Sequence, residues 1–168
     1  MEVQLSEENA KLYGKLFVSG RDIAFAKYCA GVLRKKGWHV QPWERRETIY
    51  LQQAAFMSAL IIAYGRPFTR SKGWPEFPAD LIVYSDREAA LHERLMTLRH
   101  TVHAHSDSAN YSIRPWRSGM FSTDLEGVPA LRITLQEATI FQAMTSRLQT
   151  SIARLKMLLA TVPEDCRT

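Results

Sequence analysis

The sequence lacks the features that mark disulfide-rich, metal-thiolate or membrane proteins. It has two cysteines, Cys29 and Cys166, and no CxxC pair, which argues against a disulfide framework and a thiolate zinc site. The longest strongly apolar stretch, residues 54–64, is shorter than the roughly 18 residues that a membrane span needs. The N-terminus has no basic-then-apolar signal pattern. We therefore expect a cytoplasmic protein that has no membrane partner.

Internal repeats, low-complexity tracts and Gly/Ser linkers are also missing, so nothing divides the 168 residues into two domains. Hydrophobic residues make up 46% and charged residues 23%, as in ordinary globular proteins. The formal net charge of +5 allows a polyanionic partner without requiring one. We predict a single domain over residues 1–168, with a frayed tail from about residue 162.

The first two helices follow from the spacing of apolar residues. Residues 6–36 show a helical pattern with a possible break at residues 18–20, and Gly37 is placed to end it. Residues 43–64 form a second helical run that ends at Gly65. Because its second half is apolar nearly all round, we expect it to be buried at the centre of a bundle.

Two capping boxes, Ser85 with Glu88 and Thr134 with Glu137, predict the starts of two further helices. The third helix carries a seam of residues at alternating spacings of four and three, which suits packing against another helix: Leu91, Leu95, Leu98, Val102 and His105. The fourth helix should run to about residue 161. The predicted core includes Phe56, Leu60, Leu95, Leu98, Phe141 and Leu148.

Between these helices we expect an ordered, proline-containing loop at residues 66–84. After Asp107, residues 111–113 and 131–135 alternate apolar and polar side chains, which predicts a small antiparallel β-hairpin with a long mobile connection at residues 116–129. The expected fold class is predominantly all-α, a helical bundle with a small β-hairpin after the third helix.

Four of the five histidines fall within 14 positions, at His92, His100, His103 and His105. One interpretation is that they are ordinary surface residues near a helix end. A second is a zinc site formed by His100, His103, His105 and Asp107. This is weakened by the absence of HExxH and by the angle of about 140° between His100 and His105 on an ideal helix.

A third interpretation is acid–base chemistry on a phosphodiester. Arg99 would hold the phosphate with its two-pronged guanidinium, and His105 would move a proton to or from a ribose hydroxyl. On an ideal helix the two lie about 120° apart, so the helix must end or distort near Ala104, or a second chain must supply the other residue. His103 is an internal competitor, since at four residues from Arg99 it shares that face.

Two further groups are candidates for RNA contact. Arg66 and Arg70 flank Pro67-Phe68 in the loop and suit either phosphate or backbone carbonyls. On the predicted hairpin an aromatic alternates with cations, a pattern that suits single-stranded RNA, at Arg114, Trp116 and Arg117.

Residues 98–107, LRHTVHAHSD, resemble the Arg-polar-x(3–5)-His signature of the HEPN domain superfamily. Arg99, His100 and His105 fall at the three signature positions. The stretch is more similar still to a bacterial subgroup that reads LRNKVFAHSD and carries an upstream block like residues 62–73, IAYGRPFTRSKG. The chain departs from that subgroup with His100 in place of Asn and with an extra imidazole at His103.

The resemblance implies a bundle of about four or five helices that forms a homodimer, with the motifs of both chains lining one cleft. Many HEPN proteins are metal-independent endoribonucleases, often toxins or phage-defence effectors. The resemblance therefore implies RNA as substrate, Arg99 and His105 as catalytic residues, a possible antitoxin partner, and no metal or cofactor. His100 and His103 are supporting candidates by their position in the motif. Asp107 either orients the His105 imidazole or is a solvated carboxylate at the helix end. The alternative is a non-catalytic dimeric module that binds a nucleotide, nucleic acid or protein.

Overall fold

The computed structural model describes residues 3–38, 47–104, 112–127 and 132–161. Within them the chain forms four α-helices and one two-stranded sheet. In chain order these are α1 (Glu7–Lys36), α2 (Glu47–Gly65), α3 (Asp86–Leu98), β1 (Ser112–Ser118), β2 (Phe121–Gly127) and α4 (Leu135–Ala160). The predicted class, a predominantly helical bundle, is confirmed. No helix in the described part of the chain is long and apolar enough to cross a membrane.

The helix ends follow the local chemistry of the sequence. The Ser6 hydroxyl accepts from the backbone N–H of Asn9 at the start of α1. Gly37 ends the helix in the left-handed region at φ 63°, where glycine carries no steric penalty. The expected break at residues 18–20 is wrong, because α1 runs unbroken through them. Its contacts with α2 and α4 hold this stretch helical despite the modest propensities of Ser and Gly.

Both predicted capping boxes are present. The Glu88 carboxylate accepts from the backbone N–H of Ser85 at 3.0 Å. At α4, the Glu137 carboxylate accepts from the N–H of Thr134 at 2.8 Å, while the Thr134 hydroxyl accepts from the N–H of Glu137. Each box satisfies first-turn donors that have no partner inside the helix.

The core lies where α1, α2, α3 and α4 meet. Of the six core residues predicted, Leu60, Leu95, Phe141 and Leu148 are buried, and the other two pack against them while partly buried. The expectation that α2 lies buried at the centre of the bundle holds for one face only, since Leu60 and Ile61 are fully buried while Ile62 is 36% exposed. One face of α2 packs on its neighbours and the opposite face meets solvent. Some apolar side chains of its second half therefore remain outside the core.

The seam on α3 faces this same core. Leu91 and Leu95 are buried and Leu98 packs against the buried cluster. The three leucines of the seam are therefore used within one chain. Its remaining members, the side chain of Val102 and His105, lie outside what the structure describes. The twofold dimer stays a prediction that no longer draws support from these leucines.

The hairpin forms in a different register from the one expected. β1 pairs with β2 from Ser112 opposite Gly127 to Ser118 opposite Phe121, so the predicted mobile connection is mostly strand. Gly119 takes a positive φ of 60° in the tight turn. A tight turn needs less loop-closure entropy than a long connection. The predicted second strand is wrong: its described part leads into α4, and Ile133 is buried in the core.

Candidate functional site

A cavity of about 250 Å³ lies between α1, the loop that follows α2, and the residue that follows α3. Helix α1 contributes Lys15, Ser19 and Asp22, and the loop contributes Arg66, Arg70 and Trp74. Arg99 closes the wall from beyond α3. The cavity thus joins the two blocks that the sequence resemblance singled out, although about 30 positions separate them in the chain.

Arg99 reaches the cavity across the last residue of α2. A Cβ added at Gly65 would overlap Cδ of Arg99, so only glycine leaves room for this side chain. The C-terminal end of a helix carries partial negative charge, which favours a cation at this place. Thr69 donates to the carbonyl of Gly65 at 2.7 Å. Within the described residues the guanidinium of Arg99 has no hydrogen bond or ion pair, which leaves its donors available to an anion.

The backbone widens at the motif. Arg99–Ala104 form a π-helix that continues α3. Such segments are rare, bond each residue to the fifth along, and occur often at functional sites. The helix is therefore distorted from Arg99 onward. His105 lies outside the described residues, so the Arg99–His105 geometry stays a prediction. The wider turn keeps backbone positions 99 and 103 close to the same face.

Lys15 is the most buried charge of the cavity, with 5% of the residue exposed. Burial lowers the pKa of its ammonium, and the nearby carboxylate of Asp22 raises it only in part. No hydrogen bond or ion pair within the described chain satisfies Lys15. Partial desolvation of an ammonium in the wall of an open cavity makes Lys15 a candidate contact for an anionic ligand.

The two loop arginines are held by carboxylates and not by the backbone carbonyls considered from sequence. Arg66 pairs with Asp22 at 3.2 Å, and the Asp22 side chain is 16% exposed. Arg70 pairs with Glu76 at 3.4 Å, where both side chains are largely exposed. Exposed pairs of this kind contribute little, so Arg70 remains able to turn toward a ligand at the rim.

An aromatic cluster built around Tyr64 lies next to the α2 terminus, and Tyr64 is not among the residues that line the cavity. Its hydroxyl lies 2.8 Å from Nδ1 of His92 and 3.0 Å from the hydroxyl of Tyr84. Burial raises the pKa of Tyr64 and lowers that of His92, so a neutral phenol and a neutral imidazole share this hydrogen bond. Phe68 and Phe141 pack on the Tyr64 ring. His92 is therefore a structural histidine and not part of a reactive cluster.

The other motif residues are only partly described. His100 is exposed. For His103 the structure describes the backbone alone, and His105 and Asp107 lie outside the described residues. In the part of the chain that is described, no three His, Cys, Asp or Glu side chains could hold a metal ion.

The hairpin candidates stand apart from this cavity. Every residue of β1 is exposed, including Arg114, Trp116 and Arg117. Alternation along a strand places Arg114 and Trp116 on one face and Arg117 on the other. The Nε of Arg117 donates to the carbonyl of Gly119. None of the three lines the cavity.

Sequence reasoning missed three of the cavity residues, Lys15, Asp22 and Trp74. A signal was present, because Lys15, Ser19 and Asp22 follow the helical period of the buried α1 face. Two opposite charges on a face otherwise made of small and apolar residues indicate a lined pocket. Trp74 gave no comparable signal, since only the fold brings it against Gly14.

No protein-family model matches this chain, and no curated protein or solved structure is significantly similar to it. The HEPN resemblance therefore rests on its two sequence blocks.

Proposed function

We propose that this protein is a metal-independent endoribonuclease of the HEPN type, acting through Arg99 and His105 at a cleft between two chains. The observation that carries the proposal is the position of Arg99. It enters a cavity rich in cations, without a partner of its own among the described residues, beside the arginines of the second block. A role as a toxin or phage-defence effector, with a protein antitoxin, belongs to the same proposal.

The chemistry requires one proton-transfer group and one fixed cation. A histidine that titrates near neutrality takes the proton from the ribose 2′-hydroxyl, whose oxygen attacks the adjacent phosphorus. Arg99 stabilises the negative charge that develops on the phosphoryl oxygens. The 5′-oxygen leaves with a proton, so the products carry a 2′,3′-cyclic phosphate and a 5′-hydroxyl. His100, His103 and Asp107 would orient these groups.

A second chain would bring a histidine to Arg99, which one helix alone does not do for His105. The π-helical turn brings position 103 near the face of Arg99 but does not by itself carry position 105 there. A twofold partner would set His105 of one chain opposite Arg99 of the other. Sedimentation at tens of micromolar should then show a dimer, because a Kd near 1 μM gives mostly associated protein at that concentration.

The test is cleavage of total RNA by the purified protein in EDTA. We expect His105→Ala to abolish cleavage and Arg99→Lys to fail as well, since lysine keeps the charge but loses the bidentate fork. Arg154→Lys, at an exposed position on α4, is the matched control and should cleave normally. If His103→Ala abolishes cleavage and His105→Ala does not, the histidine assignment is wrong. If neither changes a genuine activity, the ribonuclease proposal fails.

The second candidate is a non-catalytic module that binds a nucleotide, nucleic acid or protein. It is favoured by a specific observation: among the residues that the structure describes, the cations lining the cavity are one lysine and three arginines, with no histidine. Such a cavity binds an anion without any proton transfer. Retained RNA binding with no cleavage by the wild-type protein, and no effect of His105→Ala on binding, would favour this module.

A further inference from the structure

We propose that the cavity beside α1 binds the phosphate monoester of a nucleotide or of an RNA end, with Lys15 and Arg99 as its direct contacts. This inference rests on the proposed function in one respect, since Arg99 serves both. The binding itself requires no cleavage, and it gives α1 a role in ligand recognition that the motif residues do not supply.

The charges that line the cavity fit a doubly negative ligand. Four cations face one carboxylate, Asp22, and that carboxylate is already paired with Arg66. Lys15 has Asp22 as an electrostatic neighbour. Neither Lys15 nor Arg99 has a hydrogen bond or salt bridge within the described chain, so their donors are available to a ligand. A phosphate monoester carries close to two negative charges near neutral pH, whereas an internal phosphodiester carries one. The positive excess therefore favours the monoester.

The two free cations also supply complementary contacts. The planar guanidinium of Arg99 can grip two phosphate oxygens at once, and the ammonium of Lys15 acts as a point charge on a third. Because Lys15 is 5% exposed, its contact would form in a poorly hydrated place where charge–charge attraction is strong. An anion there would offset the unfavourable burial of the ammonium.

The size of the cavity limits how much of the ligand it encloses beyond the phosphate. At about 250 Å³ it is smaller than the roughly 300–1,000 Å³ of pockets that enclose drug-sized ligands. It therefore holds a phosphate with part of its sugar and leaves the base at the rim. Trp74 stands at that rim with 43% of the residue exposed, and its indole offers a surface for stacking.

Two glycines preserve this shape. An added Cβ at Gly65 would overlap the Arg99 side chain, and one at Gly14 would overlap the ring of Trp74. Gly65→Ala should therefore displace Arg99 without removing its charge. If binding depends on the geometry of the site, Gly65→Ala weakens it. If binding depends only on the net positive charge, this variant leaves it unchanged.

The test is calorimetric titration of the His105→Ala protein, so that cleavage does not intervene. The probes are adenosine 5′-monophosphate, adenosine 3′-monophosphate, inorganic phosphate, adenosine 2′,3′-cyclic monophosphate and adenosine. We expect both monoesters and phosphate to bind, the singly charged cyclic ester to bind more weakly, and adenosine not to bind. The better of the two monoesters identifies which end of RNA the cavity prefers. Adenosine binding as tightly as the monoesters, or a cyclic ester binding more tightly than both, would overturn the proposal.

Variants locate the site. Lys15→Met keeps the buried stem and removes the charge, and we expect it to weaken monoester binding by about 10- to 100-fold, the range for a hydrogen bond to a charged group. Gly65→Ala should weaken it in the same direction. Lys11→Met is the matched control, since Lys11 lies one turn earlier on α1, is exposed and pairs with Glu7. Equal affinities for Lys15→Met, Gly65→Ala and wild type would refute the pocket.

The outcomes for the two proposals are distinguishable. Monoester binding that depends on Lys15, in a protein that cleaves no RNA, supports the pocket and removes the ribonuclease. Normal RNA cleavage that depends on His105, with no monoester binding to the cavity, removes the pocket and leaves the ribonuclease.

Discussion

Two regions that meet at the last turn of α2 differ in how their polar side chains are hydrogen-bonded. On the side of Tyr64, a histidine and two tyrosines form hydrogen bonds with one another inside a cluster of aromatic rings. On the side of Gly65, Lys15 and Arg99 share a cavity and form no hydrogen bond or salt bridge within the described chain. Two adjacent positions of α2, Tyr64 and Gly65, thus border regions with different roles.

This contrast gives a criterion that separates structural from functional polar groups. A polar side chain whose hydrogen bonds are made inside the protein contributes to the fold, whereas a cation that lines a cavity without a hydrogen bond is available to a ligand. The hydrogen bond to Tyr64 assigns His92 to the fold, and the position of Lys15 in the cavity wall makes it a candidate ligand contact. Clustering of histidines in the sequence does not reveal this, because His92 and His100 lie in unlike surroundings.

The largest effect should come from the aromatic side. Phe141 is fully buried and its ring lies 5.1 Å from that of Tyr64. Phe141→Ala should lower the free energy of unfolding by about 3–5 kcal/mol, because it removes a large side chain and leaves a cavity. Urea denaturation followed by circular dichroism measures the change. A loss below about 1 kcal/mol would mean that this cluster does not hold the fold.

A smaller effect isolates the hydrogen bonds from the packing. Tyr64→Phe keeps the ring and removes the hydroxyl that contacts His92 and Tyr84. We expect a loss of about 1–3 kcal/mol, since two half-buried polar partners lose their contact. Tyr84→Phe is the matched comparison. It removes only one contact and should cost less in the same denaturation experiment, and the reverse order would contradict the central place of Tyr64.

Much of the fold could be predicted from sequence because its signals are local. The boxes at Ser85 and Thr134 and the stop at Gly37 depend on neighbouring residues alone. The errors arose where contacts with residues distant in the sequence determine the local structure. The alternation at residues 131–135 looked like a strand, yet Ile133 enters the helical core just ahead of α4.

The site could be predicted only in part, for the same reason. The two sequence blocks brought Arg66, Arg70 and Arg99 forward as candidates, and the fold brings these three to one cavity. Lys15, on the first helix, joins them through tertiary packing that no short pattern encodes. The leucine seam of α3 shows the converse case, since its pattern fits a dimer and a monomer core equally, and the core uses it.

The pH dependence of stability tests the assignment of His92 to the fold. Burial lowers the pKa of His92 below its ordinary value of about 6.5. Below that value the unfolded chain binds a proton that the folded chain does not, so stability falls as the pH drops, until the lowered folded pKa is passed. Between pH 7.5 and 5.5 we expect His92 to account for a loss of at most about 1 kcal/mol, because a tenfold change in proton affinity corresponds to about 1.4 kcal/mol and the ring is only half-buried. His92→Phe is the control, and an unchanged pH profile in that variant would show that another group is responsible.

The smallest effect on stability should come from the residue that matters most to the proposed activity. Arg99 is half-buried but has no hydrogen bond or ion pair within the described chain, so Arg99→Ala breaks no such contact. The attraction between the Arg99 guanidinium and the C-terminal end of α2 is offset by repulsion from Lys15 and the two loop arginines. We therefore expect the free energy of unfolding to change by no more than about 0.5 kcal/mol, while RNA cleavage and monoester binding are lost. A destabilisation above about 1.5 kcal/mol would assign Arg99 to the fold, and the contrast between the two sides of α2 would then not hold.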